Sequence, residues 1–152
     1  MKTIADPAVL RALTGRLGLL TPGHPRRWGT LTAHEMVCHL GDAVEMVICV
    51  RPRERPIPRR RRTVMKVVGL WTAVRWPHGW RTNPAHDPRL DGTRPTEFAT
   101  DLERLLRALD RLATAHNAEL EPMHGVFGIM STRDWQRWAY KHLDHHLRQF
   151  GL

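Results

Sequence analysis

Cysteine is scarce: Cys38 and Cys49 are two thiols in 152 residues, too few for a disulfide framework. Eleven positions apart on one side of a helix, they read as packing thiols in a reducing compartment. Long apolar runs are missing too, since nothing approaches the roughly 18 residues of a membrane span. The opening stretch, MKTIADPAVLRALTGRLGLLTPGHP, breaks its apolar residues with acid and arginine, unlike a secretory signal. A cytoplasmic protein with no membrane contact is the expectation. No segment sustains the alternation of a half-buried strand, and no internal repeat is present. Glycine-rich phosphate loops, Cys-x-x-Cys and Gly-x-Ser-x-Gly are absent, so three common chemistries have no motif here.

What is present fits one domain over residues 1–152, with 41% hydrophobic and 26% charged residues. The net charge of +9 is concentrated. RPRERPIPRRRR (51–62) holds seven arginines and one glutamate, leaving only +3 on the other 140 residues. Nucleic-acid binders spread basic residues along a face or groove. A proline-broken arginine loop therefore reads first as a solvated linker, and second as a site for phosphate, nucleic acid or an acidic partner.

Helix signals dominate. Asp6 caps a first helix with Pro7 in its first turn, and TPGHPRRWG (21–29) ends it. Thr32-x-x-Glu35 is a capping box opening a second helix over 32–50, stopped by Pro52, Pro56 and Pro58. TVMKVVGLWTAVRW (63–76) reads as a third helix, and TEFATDLERLLRALDRLATAH (96–116) as a strongly amphipathic fourth. A proline-rich loop (77–95) separates them. NAELEPMHGVFGIM reads as a loop, and Ser131-x-x-Asp134 caps a last helix ending at Phe150. The pattern predicts an all-α fold of four or five helices, a bundle with long loops.

The last helix concentrates three of ten histidines. With Trp135 at zero and about 100° per residue, Trp138, Ala139, Leu143, Leu147 and Phe150 fill one apolar arc. His142 falls near 340° and His146 near 20° on that wheel, in the middle of the arc and one turn apart. His145 lies at its edge, while Lys141, Asp144 and Arg148 point away. Two adjacent buried imidazoles either find hydrogen-bond acceptors or share a cation, and i,i+4 spacing lets both rings reach one ion. Helix two offers a third ligand. Its core side carries Met36, Leu40, Ala43, Val44, Val47 and Ile48, and His39 flanks that arc. His34 sits in the capping turn and is expected to be exposed; Cys38 projects from the opposite side. Glu35 and Asp42, at i−4 and i+3, are the candidates to orient His39.

The C-terminal H-x-x-H-H-x-x-Q (His142, His145, His146, Gln149) and MVCHLGDA around His39 resemble the DinB/YfiT-like superfamily of metalloenzymes. Residues 26–50 and 124–151 resemble most strongly a bacterial branch of unknown function. This likeness implies an up-down-down-up four-helix bundle, often a homodimer, with room for one short extra helix. It also implies a divalent metal, zinc or nickel most often, on His39, His142 and His146. Relatives include low-molecular-weight thiol S-transferases and a mycothiol-dependent isomerase. Gly125 departs from the pattern, which commonly has proline after the histidine, and the arginines at 59–62 look particular to this chain.

Three histidines leave a divalent ion open to a small-molecule substrate, with a low-molecular-weight thiol as a possible co-substrate. The expectation is a metal-dependent transferase of the thiol S-transferase type, or a hydrolase on the same geometry. Glu35, Asp42, His145 and Gln149 are orienting or substrate-side candidates. His124 and the tryptophans Trp71, Trp76, Trp80, Trp135 and Trp138 are candidates for an entrance, with Trp135 and Trp138 the nearest. For most of the tryptophans core packing is the stronger reading. Two alternatives stand beside this one: a non-catalytic metal-containing binding module, and a nucleic-acid-associated protein acting through 51–62.

Overall fold

The computed structural model describes residues 1–48, 59–80 and 82–152, with the backbone alone at 59–63. Among these residues the protein is predominantly α-helical, with five helices and one two-stranded ribbon. The helices are α1 (Pro7–Leu17), α2 (Ala33–Val47), α3 (Arg59–Trp71), α4 (Phe98–Thr114) and α5 (Thr132–Gln149). Single 3-10 turns occupy Pro84–His86 and Asn117–Glu119. Among the described residues no helix is long and apolar enough to cross a membrane.

The helices begin where their capping residues dictate. The Asp6 carboxylate accepts from Ala8 N, with Pro7 in the first turn of α1. Thr32 and Glu35 close a reciprocal capping box on α2, as Ser131 and Asp134 do on α5. Asp134 also accepts from Trp71 Nε1 and pairs with Lys66, so the cap that starts α5 holds α3 in place. α4 buries Leu105, Ala108, Leu109 and Leu112 and leaves the Glu103–Arg107 pair in solvent. α2 packs most extensively on α4, while α1, α3 and α4 all touch α5.

Several expectations are corrected. The segment NAELEPMHGVFGIM is not all loop: β1 (Met123–His124) pairs antiparallel with β2 (Gly128–Ile129). Gly128, at φ 75°, takes the left-handed conformation that this short reversal demands. α3 starts at Arg59 and ends at Trp71, shifted toward the N-terminus relative to 63–76. Arginine is a good helix former, so the basic run supplies the first turn of a helix where a linker was expected. Residues 51–58 and Cys49 lie outside the described residues. α2 is buried on almost every side, because α4 covers the face opposite its predicted core stripe. The charged face of α5 is covered as well. Asp144 pairs with Arg16 of α1 at 2.9 Å. Lys141 donates to the carbonyls of Thr72 and Val74, and Arg137 to that of Leu70, capping the C-terminal end of α3.

Candidate metal centre

His39 from α2 and His142 and His146 from α5 converge where the two helices face each other. The three rings offer one ligand atom each, all within 4.8 Å of one another. His39 Nε2 lies 3.1 Å from His142 Nε2, and the rings of His39 and His142 are each 4.9 Å from that of His146. The apolar arc of α5 aims its two histidines at α2 for the reason the wheel gave: Trp138, Ala139, Leu143 and Leu147 are all buried there.

The opposite ring nitrogens fix which lone pairs point inward. His39 Nδ1 donates to the His86 carbonyl at 3.0 Å, leaving Nε2 without a proton. His146 Nδ1 donates to Gln149 Oε1 at 2.8 Å, while Gln149 Nε2 donates to the Trp28 carbonyl at 2.9 Å, which sets the amide's orientation. Gly29 makes this possible. At φ 77° it adopts a conformation suited to glycine, and a Cβ there would collide with Gln149 Nε2. His142 Nδ1 is buried without a hydrogen-bond partner among the described residues.

The electrostatics keep all three rings neutral. Burial lowers the pKa of His39, with partial relief from the His86 carbonyl. Burial pushes His142 and His146 well below the ordinary histidine value, and neighbouring imidazoles add to it. Neutral imidazole is the ligand form.

Two neutral acceptors at 3.1 Å repel unless a proton or a cation lies between them. A proton on His142 Nε2 relieves the contact but leaves a buried Nδ1 lone pair idle. A divalent ion takes up all three lone pairs at once, and the donor set fits zinc or nickel.

The other expected residues divide. Gln149 touches His146 as described. His145 lies beside the trio, its ring 5.2 Å from that of His146, with its pKa lowered to about 4, first by burial and then by Arg148. Trp138 lies 4.8 Å from His142. Trp135 packs against Trp138 and His124 and donates to the Glu121 carbonyl, a core role. His124 is bonded to the amides of Val126 and Phe127, shaping the β1–β2 reversal; burial alone lowers its pKa to about 3.

Glu35 and Asp42 do not orient His39. Glu35 is held by its capping box and by Arg89 at 2.7 Å, which lowers its pKa to about 2. Asp42 accepts from Thr93 N and Oγ1, both at 2.7 Å, and pairs with Arg104 at 3.0 Å. A main-chain carbonyl, that of His86, takes the role at His39 assigned to them. Trp76, 5.8 Å from His142, reaches the site as Trp138 does; Trp71 is bonded to Asp134, and Trp80 is 52% exposed.

Sequence reasoning missed Trp28 and His78, which stack at 4.0 Å beside His145 and form the outer wall of the site. Both lie in loops without a helical period, so no wheel could place them. His34 was expected to be exposed; instead it is part-buried and bonded to Asp101 at 2.7 Å. A cavity of about 260 Å³ borders Trp76 and the covered face of α5, lined by Lys2, Arg75, Arg137 and Lys141.

A family model described as protein of unknown function (DUF1569) matches residues 8–151. No curated protein and no solved structure matches the chain significantly.

Proposed function

The chain belongs to this family of unknown function, DUF1569, and from that premise we propose a metal-dependent enzyme with a three-histidine divalent centre. His39, His142 and His146 are the ligands, and zinc or nickel is the ion. The reaction class is transfer involving a small-molecule thiol, by kinship with the DinB/YfiT-like superfamily. In this reading α1, α2, α4 and α5 are the up-down-down-up four-helix bundle, with α3 the added helix, and the protein works as a homodimer.

The single observation that carries the reading is the meeting of three inward-facing imidazoles, two of them fixed with an unprotonated inner nitrogen. His39 and His146 each commit Nδ1 to an acceptor, so their Nε2 lone pairs face His142. A divalent ion here supplies Lewis acidity, which lowers the pKa of a thiol or water sharing it. The chain's own residues do the rest. His86 and Gln149 orient the ligands, while Trp138 and Trp76 exclude water on the inner side. Trp28 and His78 offer a flat wall to an incoming substrate.

Metal analysis of tag-free protein tests this reading, with His142→Ala beside it. A loss of about one transition-metal equivalent in the variant supports the centre and justifies a screen of thiols with electrophiles. Full occupancy in the variant overturns the ligand assignment. Metal bound at His39, His142 and His146 without thiol-dependent turnover leaves a binding module in place of an enzyme.

A further inference from the structure

A second cluster lies on the other side of α2. His34 and Cys38, one helical turn apart, face Asp101 in the first turn of α4, and their three ligand atoms lie within 4.8 Å of one another. We propose that His34, Cys38 and Asp101 form a second metal site, one that takes a thiophilic divalent ion of the zinc class. This proposal does not rest on the imidazole trio.

Donor chemistry selects the ion. A thiolate, an imidazole and a carboxylate are a borderline-soft set that suits zinc or cobalt and not magnesium or calcium, which take oxygen ligands. The side chains are already held together by protons. Asp101 Oδ2 accepts from His34 Nε2 at 2.7 Å and from Thr96 N at 3.1 Å, and the Cys38 thiol donates to the same carboxylate. An ion that displaces the thiol and imidazole protons keeps the three donors together. Tetrahedral zinc needs donor separations of roughly 3.2–3.8 Å, given its bond lengths of about 2.0–2.3 Å. The His34–Asp101 contact must therefore open by about half an ångström, a small side-chain rotation.

The surroundings allow entry and charge balance. Cys38 is fully buried, but the His34 side chain is 16% exposed and gives an ion an edge to enter. Arg104 reaches the Cys38 carbonyl at 3.3 Å, yet its charge is met by Asp42 and Glu45 at 3.0 and 3.1 Å. Thr96 stays on Asp101 as the outer partner that holds a ligating carboxylate in place. Burial, with help from Asp101, pushes the thiol pKa up to about 12, so without an ion Cys38 stays protonated and inert. The site's role is structural: it clamps the start of α2 to the start of α4.

Cobalt(II) alone, titrated into metal-free full-length protein, provides the test. A thiolate ligand gives an intense sulfur-to-cobalt charge-transfer band in the near ultraviolet, which an all-histidine site cannot produce. The expected result is this band in the wild type and in His142→Ala, kept in Cys49→Ser and lost in both Cys38→Ser and His34→Ala. His34→Ala stands in if Cys38→Ser does not fold, because His34 lies at the edge of the cluster. Absence of the band from the wild type and His142→Ala at saturating cobalt overturns the proposal. So does a band that persists in His34→Ala. Loss of the trio's metal with the band intact would defeat the proposed function and leave this site standing.

Discussion

The two clusters share one plan and differ in what they can do without an ion. Each takes two side chains four apart on one helix and a third from another. In His39–His142–His146 two members are fixed as inward acceptors by the bonds on their outer nitrogens, while His142 keeps a buried Nδ1 with no hydrogen-bond partner among the described residues. In His34–Cys38–Asp101 a carboxylate gathers protons from its neighbours and the cluster closes on itself. The contrast shows that proximity of ligands is a weak sign of a metal, whereas the direction of the remaining hydrogen bonds says whether a cation is needed. The first cluster leaves lone pairs that a cation would satisfy; the second is already satisfied by its own protons.

Deleting one member of each cluster should separate them most widely. His142→Ala is expected to lower metal affinity by more than the roughly 10–100-fold that loss of an outer partner costs. It should cost the metal-free protein less unfolding free energy than Asp101→Ala does, because one nitrogen of the deleted ring has no hydrogen-bond partner among the described residues. Asp101→Ala should do the reverse for stability. It strands His34, Cys38 and Thr96, and a cost of about 3 kcal/mol is expected from buried donors left without an acceptor. Urea unfolding of both metal-free variants checks the pair; equal losses would erase the distinction.

Acid should divide them next. The buried histidines have folded-state pKa values below the ordinary 6.5, so the unfolded chain binds more protons once pH falls below that value. Stability is complete above about pH 6.5 and declines by about 1.4 kcal/mol per pH unit for each such histidine. For His145 the decline runs to about pH 4, and for His124 to about pH 3. Asp101 is depressed below 3.8, so its contribution is lost only in stronger acid. Unfolding measured from pH 7.5 to 4.5 should therefore fall steeply in the wild type and with the same slope in Asp101→Asn. A flat profile would mean the imidazoles are not buried neutral.

Much of this was legible in the sequence, for identifiable reasons. The period of α5 placed His142 and His146 inside, and the two capping boxes marked the starts of α2 and α5 to the residue. These are local signals, carried within one helix. Apart from the β1–β2 ribbon and the bounds of α3, the failures are between elements distant in sequence. A wheel finds the apolar stripe of α2 but cannot know that α4 covers its back, so His34 was expected to be exposed and Cys38, opposite the stripe, had no partner helix assigned to it. Glu35 and Asp42 had the right spacing to reach His39, but Arg89, Thr93 and Arg104, distant in sequence, claim them first. The His86 carbonyl has no side-chain signature, and the Trp28–His78 stack joins loops fifty residues apart.

Gln149→Ala sharpens the comparison on the metal side. Without its carbonyl oxygen His146 loses the acceptor that fixes Nε2 inward, and affinity should drop roughly 10–100-fold, the usual cost of an orienting partner. Gly29→Ala should reproduce part of that loss without touching a ligand, by pushing the Gln149 amide aside and by straining a left-handed backbone. Isothermal titration with zinc measures both. If Gly29→Ala lowers affinity while Gln149→Ala does not, the effect belongs to the loop and the orienting role fails.

The smallest effect expected is from Thr32→Ala. Its hydroxyl accepts from Glu35 N at 3.2 Å, while Glu35 accepts from Thr32 N at 2.7 Å in return. Removing the hydroxyl should cost about 1 kcal/mol, typical of an N-cap. Glu35 keeps Arg89 in either case, so the cost should not grow much beyond that. The consequence divides between the clusters by position. His34 and Cys38 stand in the first two turns that this cap starts, whereas His39 lies further along, held by the His86 carbonyl. Fraying should therefore weaken the cobalt–thiolate band before it weakens binding at the three histidines. Equal weakening of both would mean that α2 responds as one rigid rod and that its two faces are not independent.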